Sequence, residues 1–388
     1  MGRGLARQIG LEPTACWLTT IGRLRLGKRS VLGGTILHTG VILRTTVKME
    51  ATPLETPQLL GDGPPKWVSE QPVQRHITWR RQYDASRYAR HLSQPELNRR
   101  IRDILVNLLL VDPEGKASLS RITNESALWL EKFTHVLEEM QLRHGPYPAG
   151  FTREILHSEP FPNFASELAE KAAKRLTPIG LKRGEVFIKF GKREHMERLY
   201  ESGALRIQPA TYFAQTDHNG AVRDDELTLS VSLPLSRADV LNIVKNPQDV
   251  PLDAPEQRVD LKFESPTDYW LYCVTNSVEP RLFVDFNADS CVIIRDRGKF
   301  GQMLSEASRQ RLTGAVVNNG PAIYFDPLLP KTAEVGVSPT FVPFVKHFRY
   351  TYQDEHRFCW LPPVPVQEVT HVDVEIGSLK EFSDLIVL

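Results

Sequence analysis

Cysteine is scarce in this chain, and its spacing argues against the commonest kind of structural metal site. The 388 residues include four cysteines, Cys16, Cys273, Cys291 and Cys359, and no two of them form a CxxC pair. A structural zinc site normally uses closely spaced thiolates, so we expect no metal centre. Three of the four lie in apolar, strand-like runs, which predicts buried reduced thiols and a reducing, cytoplasmic compartment.

The chain also lacks a long hydrophobic run and an excess of charge of either sign. No apolar run reaches the roughly 20 residues that a membrane-spanning helix needs, so we expect no membrane association. The 48 lysines and arginines are balanced by 47 aspartates and glutamates, which leaves a formal net charge of +1. This balance argues against nucleic acid as the main partner, although it does not by itself exclude it.

The first 73 residues differ in composition from the rest of the chain. Residues 1–48 carry eight basic residues against one acid, Glu12, and residues 51–73 are rich in proline. A basic segment of this kind is typical of a targeting presequence or of an arm that binds nucleic acid. A third interpretation, which we favour, is that residues 1–48 are not native and that translation starts at Met49. We therefore interpret residues 1–73 as a disordered leader and linker.

A helical domain is predicted over residues 84–180. Ser93 and Glu96 form a capping box that opens a helix, and this helix should end at the turn 112–115. Further helices are expected at Asn124–Gly145, Thr152–His157 and Phe164–Leu176. The second helix should bury an apolar face made of Leu128, Leu130, Phe133, Val136, Leu137 and Met140.

Residues 185–388 show the alternation and β-branched content of strands. The order predicts a β–α–β unit followed by a mostly antiparallel set, with few helices. Strands are expected in the segments EVFIKFG, GALRI, ELTLSVSLP, RVDLKFES, YWLYCVTNS, RLFVDFN, CVIIRD, AIYFDPL, FVKHFRYTY and HRFCWLP. Helices are expected at 192–203, 236–245 and 299–312, and the chain should end in a strand and a short helix. The fold class is therefore α+β, with a helical N-terminal domain and a twisted C-terminal sheet.

Two polar segments in the first half of this domain are candidates for ligand binding. A strand carrying Lys189 turns at Gly191 into a helix, which places Lys189 or Lys192 where a cation can meet an anionic ligand. The alternative is an edge-strand lysine that points outward. Further along, the segment RDDE begins at Arg223 and ends at Glu226. This segment is typical either of a site that binds a hydroxyl group or a metal ion, or of a solvated loop. If it belongs to a strand, alternation would put Asp224 and Glu226 on one face.

Two further segments carry polar groups on strands in the second half. Thr275 and Ser277 share one face, either in a site or on an exposed hairpin. Residues 344–360 interleave ionisable and aromatic side chains, and alternation there would place Glu355 and Arg357 on one face. An arginine two residues from a glutamate can hold the carboxylate ionised, ready to bind a ribose hydroxyl or to stabilise an oxocarbenium-like transition state. The alternative is a surface ion pair.

The ordered set of these segments resembles a group of uncharacterised prokaryotic domains found near phage-defence and abortive-infection genes. The resemblance covers residues 186–362 and rests on FIKFG with its helix and GALRIQPATYF, then RDDE, YCVTNS, SCVIIRD, AIYFDPL and KHFRYTYQDEHRF. In that group the last segment has an acid followed closely by an arginine, as Glu355 and Arg357 are here. The group usually has Asn-Asp-Pro-Phe and an acid where this chain has RDDE.

A more distant similarity is to ADP-ribosyltransferases, which place a His or Arg on the first strand, a strand containing Tyr or Ser in the middle and a glutamate late in the fold. That resemblance implies Lys189 in the first role, Thr275 or Ser277 in the second and Glu355 in the third. Lysine in the first role departs from the pattern of those enzymes.

Together the two resemblances imply a cytosolic bacterial defence-type effector that binds a nucleotide such as NAD and acts at a glycosidic C1. Glu355 would stabilise positive charge on the ribose, and Lys189 and Arg357 would position phosphates. Tyr212 or Tyr350 would stack on a base. Lys192, Thr275, Arg223 and Glu226 would complete the substrate-binding set. The alternative is a non-catalytic module that recognises a nucleotide or peptide and signals to a protein partner through the helical domain.

Overall fold

A computed structural model describes residues 42–44, 72–120, 124–145, 161–234, 258–329 and 339–388. The α-helices of these ranges are α1 Pro72–Ser86, α2 Gln94–Val106, α3 Asn124–His144, α4 Glu167–Leu176, α5 Arg193–Ser202, α6 Arg281–Asp285 and α7 Arg297–Arg311. The strands are β1 Ile42–Arg44, β2 Leu109–Val111, β3 Ala117–Leu119, β4 Phe187–Gly191, β5 Ala204–Pro209, β6 Thr228–Pro234, β7 Arg258–Glu264, β8 Trp270–Thr275, β9 Ser290–Ile294, β10 Val316–Pro321, β11 Ile323–Phe325, β12 Val345–His347, β13 Glu355–Leu361, β14 Val372–Glu375 and β15 Ser383–Val387. Segments of 3₁₀ helix are Thr177–Ile179, Ala210–Ala214, Pro339–Phe344 and Phe348–Gln353.

The main sheet has eight strands and every pairing in it is antiparallel, so the α+β class is confirmed. Six strands follow the order β10-β13-β8-β4-β9-β15, while β5 pairs with both β14 and β8. Strand β8 meets β4 only where Thr275 faces Ile188, and it meets β5 at Leu271 and Trp270. The sheet therefore splits beside β8, and the two branches diverge from one shared strand.

The first predicted helix forms as expected at its start but ends early. The Ser93 backbone N–H donates to Glu96 Oε2 at 2.7 Å, as a capping box requires. The helix ends at Val106, before the predicted turn, and the next residues form the hairpin β2–β3 instead. Gly115 takes a left-handed φ of 80° in that hairpin turn, which glycine adopts without strain.

The other helices of the N-terminal half follow the prediction in part. Helix α3 begins at Asn124 and gives way to Gly145 in a left-handed conformation, as predicted. Leu128, an expected core residue, is 47% exposed, whereas Val136 and Met140 are buried. Helix α1 begins at Pro72, ahead of the predicted domain start at residue 84. The predicted helices at Thr152–His157 and 236–245 lie outside the described residues.

Three segments of the C-terminal half differ from the predicted elements. RLFVDFN forms helix α6 after Pro280 because Arg281 and Asp285 pair across one helical turn at 2.7 Å. FVKHFRYTY is a strand only at Val345–His347 and then a 3₁₀ helix. The chain ends in strand β15, paired with β9, and not in a helix.

The helical and α+β parts share hydrophobic clusters. Phe348 and Leu328 pack with residues of α2 and α3 in one cluster. Ala172 and Leu176 of α4 pack against β4 and β9 in another. Helix α4 therefore packs on one face of the sheet and α5 and α7 pack on the other. Helices α2 and α3 contact the segments of Leu328 and Phe348. In the described part of the chain, no helix combines the length and apolarity that a membrane crossing requires.

Candidate functional site

Strand register decides which predicted site residues can meet. Glu355 lies opposite Thr275, and Arg357 lies opposite Cys273, in the β13–β8 pairing. Residues directly opposite in an antiparallel pair share a face, so all four side chains lie on the face that the helical part covers. The predicted placement of Glu355 and Arg357 on one face is therefore observed.

Arg357 is the centre of an ion cluster on that face. Its side chain is 0% exposed and its two terminal nitrogens lie 2.8 and 2.9 Å from the two carboxylate oxygens of Glu226. It also donates to the carbonyl of Pro343 at 2.6 Å and lies 3.3 Å from Glu355 Oε2. Arg357 and Glu226, both predicted to bind substrate, therefore bind each other. Arg357 Nε has no hydrogen-bond partner among the described residues, but it is buried with the rest of the side chain and a phosphate in solvent cannot reach it.

Lys346 joins Glu355 to this cluster from a neighbouring segment. Its ammonium nitrogen lies 2.9 Å from Glu355 Oε2, 3.2 Å from Gln353 Oε1 and 3.8 Å from Glu226 Oε1. Tyr324 accepts a hydrogen bond from the Glu355 backbone N–H at 2.8 Å. The Glu355 side chain keeps 12% of its surface exposed, so the carboxylate is held but not fully enclosed.

Asp224 lies within the electrostatic reach of this cluster but has no direct partner. Among the described residues, no side chain is hydrogen-bonded or ion-paired to its half-buried carboxylate. Burial, together with the negative charge of Glu226, raises the pKa of Asp224 to about 7, even though Lys346 and Arg357 act in the opposite direction. Burial would also raise the pKa of Glu355, but Lys346 and Arg357 outweigh it and lower that pKa to about 2.

The site therefore contains two carboxyl groups of opposite character. The lowered pKa keeps Glu355 ionised at neutral pH, whereas the raised pKa of Asp224 lets its carboxyl group take up or release a proton near pH 7. Two titratable groups whose pKa values are shifted in opposite directions are typical of sites that carry out acid–base chemistry. The sequence pattern placed Glu355 here, but it gave no sign of Lys346, Tyr324 or the unpartnered state of Asp224, because these depend on contacts between separate segments.

Replacement of Asp224 by asparagine should stabilise the protein, and the gain should grow with pH. The folded-state pKa of about 7 is above the ordinary value of 3.8, so the unfolded chain ionises first as pH rises. The contribution of Asp224 to stability is therefore fully present below about pH 4 and is lost as pH rises through about 7. Asparagine does not ionise and avoids that loss. Urea unfolding midpoints at about pH 4, 6 and 8 would measure the difference between variant and wild type.

The control for this measurement is Asp225→Asn. Asp225 is exposed, and the asparagine keeps an oxygen for the Leu227 N–H that Asp225 Oδ1 accepts at 3.1 Å. Its effect should be the same at every pH. An Asp224→Asn difference that does not change with pH would show that Asp224 titrates normally.

Cationic groups also lie near Asp224 at the surface. Arg349 is 40% exposed in its side chain, lies 5.0 Å from the centre of the Tyr350 ring and reaches Asp103 only at 3.8 Å. Arg223 is exposed, and its backbone carbonyl accepts a hydrogen bond from the Tyr350 hydroxyl at 2.6 Å. These two arginines keep donors available for an anion.

The predicted pairing of Lys189 with Glu355 is wrong. Ile188 lies opposite Thr275, so Ile188 shares the Glu355 face and Lys189 points to the other face. There Lys189 donates to the Cys273 carbonyl at 2.7 Å, and its ammonium nitrogen is 4.5 Å from the Tyr272 ring centre. The two side chains cannot hold one small ligand from opposite faces of a sheet.

Three other predicted residues have different surroundings from those expected. Lys192 is exposed at the start of α5 and lines a surface depression beside Asp289, which contains none of the cluster residues. The Thr275 hydroxyl donates to the Gln353 carbonyl and accepts from the Ser277 N–H, so it supports the backbone. Ser277 is buried in that turn.

Neither predicted stacking tyrosine presents a free ring to a base at this site. Tyr350 is 4% exposed, and Lys346 lies 4.7 Å from its ring centre. Tyr212 lies in the 3₁₀ helix Ala210–Ala214, with its ring centre 4.4 Å from that of His218. Burial and packing therefore remove the expected stacking role of Tyr350, and Tyr212 already packs edge-to-face against a neighbouring ring.

Comparison with protein-family models, curated proteins and solved structures finds no match to this chain. Within the described ranges, no group of three or more His, Cys, Asp or Glu side chains is arranged to hold a metal ion. The site is therefore interpreted from its own geometry.

Proposed function

We propose that the α+β part binds a nucleotide such as NAD and cleaves or transfers at its ribose C1. The observation that supports this proposal is the pair of Glu355, held ionised by Lys346 and Arg357, and Asp224, with a pKa of about 7. An anion fixed by two cations suits stabilisation of an oxocarbenium-like centre. A carboxyl group that titrates near neutral pH suits a general base.

In the proposed reaction, water or an acceptor hydroxyl attacks C1 of the ribose. The ionised carboxylate of Asp224 takes the proton of the attacking hydroxyl, and the new C1–O bond forms. The C1–N bond breaks, and its electron pair stays on the nicotinamide nitrogen, which becomes neutral. Glu355 stabilises the positive charge that develops on the sugar. With water as acceptor, the products are nicotinamide, ADP-ribose and one proton.

The phosphate-binding roles move to other residues in this proposal. Lys189 lies on the opposite face, and Arg357 is buried and paired with two carboxylates. Arg349 and Arg223 are the exposed cations beside Asp224, so they are the groups that would position the pyrophosphate. The reduced, widely spaced cysteines fit a cytoplasmic setting, in which such an enzyme would act as a defence-type effector.

A non-catalytic recognition module is the second candidate, and one observation favours it. The cations Lys346 and Arg357 and the acids Glu226 and Glu355 already pair with one another. A network of this kind can serve to fix a fold or to respond to a ligand without chemistry. In that case the helical part would pass the bound state to a protein partner.

Glu355→Gln should lower NAD turnover by at least about 100-fold, because the neutral amide cannot stabilise a developing cation. Full-length protein would be incubated with NAD, and released nicotinamide would be measured by chromatography, with binding measured by calorimetry. The matched control is Glu368→Gln, an exposed glutamate that should leave turnover unchanged.

Two results would decide between the candidates. Wild-type protein that binds NAD without releasing nicotinamide would favour the recognition module. Protein that neither binds nor turns over NAD would overturn the proposed nucleotide function.

A further inference from the structure

We infer that Asn107 is a positioning residue, which clamps the 3₁₀ helix Phe348–Gln353 and so lets the helical part set the geometry of the site. This inference rests on the proposed function only for its effect on turnover, because the clamp itself can be tested without a substrate. Asn107 lies at the C-terminal end of α2, in the part of the chain that carries none of the proposed site residues.

The side-chain amide of Asn107 holds both ends of that 3₁₀ helix. Its Nδ2 donates to the Phe348 carbonyl at 3.1 Å, and its Oδ1 accepts from the Tyr352 backbone N–H at 2.9 Å. Nδ2 also donates to the Asp103 carbonyl at 2.9 Å, which fixes the amide to its own helix. The amide carries a donor and an acceptor on one planar group, so this single side chain makes both contacts with the 3₁₀ helix.

Aromatic and ionic contacts of the helical part reinforce the clamp. The Phe348 ring stacks on Trp129 of α3, with ring centres 5.8 Å apart, and the Arg100 guanidinium lies 5.2 Å from the Phe348 ring centre. Arg100 also binds Asp326 through two hydrogen bonds, at 2.9 and 2.8 Å. Contacts with α2 and α3 therefore hold the 3₁₀ helix in place, in addition to its contacts with the sheet.

The opposite side of the same 3₁₀ helix carries the site. The Tyr350 hydroxyl donates a hydrogen bond to the Arg223 carbonyl, and the Gln353 side chain donates one to the Ala221 carbonyl at 2.7 Å. These two contacts hold the loop that bears Asp224. Gln353 also accepts from Lys346, which holds Glu355. A shift of the 3₁₀ helix would therefore move the loop of Asp224 and the partner of Glu355 together.

Hydrogen exchange of the full-length protein tests the clamp directly. Asn107→Ala removes both contacts with the 3₁₀ helix, so exchange in peptides covering residues 348–354 should rise about tenfold, the change expected for two lost hydrogen bonds. Asn107→Asp keeps the acceptor for Tyr352 and should restore part of the protection. The matched control is Asn98→Ala on the same helix, which removes only a local contact with Gln94 and should change exchange there less than twofold.

Turnover of NAD by the same variants is the second measurement. Activity should fall in Asn107→Ala, recover in part in Asn107→Asp and stay unchanged in Asn98→Ala. Unchanged exchange at residues 348–354 in folded Asn107→Ala would overturn the clamp, whatever the activity. Raised exchange in a protein with no NAD turnover, even in the wild type, would support the clamp and count against the proposed function, so the two failures are distinguishable.

Discussion

Replacement of Arg357 by methionine should lower the free energy of unfolding by about 3–5 kcal/mol, the cost of leaving one partner of a buried ion pair uncompensated. The Glu226 side chain is 3% exposed and, of the cations that the structure describes, would keep only Lys346 as an ion-pair partner, at 3.8 Å. The methionine fills similar space, so the loss measures charge rather than packing. Chemical unfolding followed by circular dichroism at neutral pH would measure it.

The matched control for this variant is Arg206→Met. Arg206 makes a two-pronged pair with Asp373, at 2.8 and 3.1 Å, but both side chains are more than half exposed. An exposed ion pair of this kind contributes less than about 1 kcal/mol to the free energy of unfolding. A second variant, Arg357→Met with Glu226→Gln, should recover much of the lost stability because it removes the stranded charge. If Arg357→Met loses no more free energy of unfolding than Arg206→Met does, water reaches the cluster and the buried-charge argument is wrong.

Replacement of Asp326 by asparagine should also cost about 3–5 kcal/mol, because two buried cations lose their shared carboxylate. Asp326 accepts from Arg100 of α2 and from Lys132 of α3, and all three side chains are at least nine-tenths buried. Burial alone would raise the pKa of Asp326, but these two cations lower it well below the ordinary value. Unfolding midpoints in urea would measure the loss.

Asp326→Asn should further loosen the contact between the helical part and the sheet. Exchange of backbone amides in α2 and α3 should rise more than exchange in β9, whose five residues are buried and which pairs with β4 on one side and β15 on the other. The control is Asp373→Asn, in the exposed ion pair with Arg206, which should change amide exchange neither in α2 and α3 nor in β9. Because the Asp326 pKa is depressed, its contribution is present above its unfolded pKa and is lost as pH falls. The difference in stability between the variant and the wild type should therefore shrink as pH falls below about 4; a difference that does not shrink would contradict the role of this charge.

Local sequence determined much of the secondary structure. The capping box at Ser93 opened α2, Asn124 and Gly145 bounded α3, and the alternation from residue 355 onward gave strand β13. These features depend on residues within one turn or one strand, where backbone hydrogen bonds and side-chain period are set by near neighbours. The shared face of Glu355 and Arg357 follows from the same two-residue period.

Local pattern failed where distant contacts outweighed it. The segment FVKHFRYTY has strand composition, yet the helical part draws residues 348–353 into a 3₁₀ helix through Asn107 and the Phe348–Trp129 stack. The final segment was expected to be helical, yet β9 offers a free edge with which Ser383–Val387 pairs. Tertiary hydrogen bonds and burial decide such short segments, whose own propensity is weak.

The sequence by itself determined the α+β class, the start of α2, the bounds of α3 and the common face of Glu355 and Arg357. Only the tertiary structure decided which groups meet them. One residue pair, Ile188 with Thr275, sends Lys189 to the other face, and the folding of three separate segments brings Lys346, Glu226 and Asp224 to this one. The physical reason is that side-chain direction within a strand repeats every two residues, whereas register and packing depend on partners far along the chain.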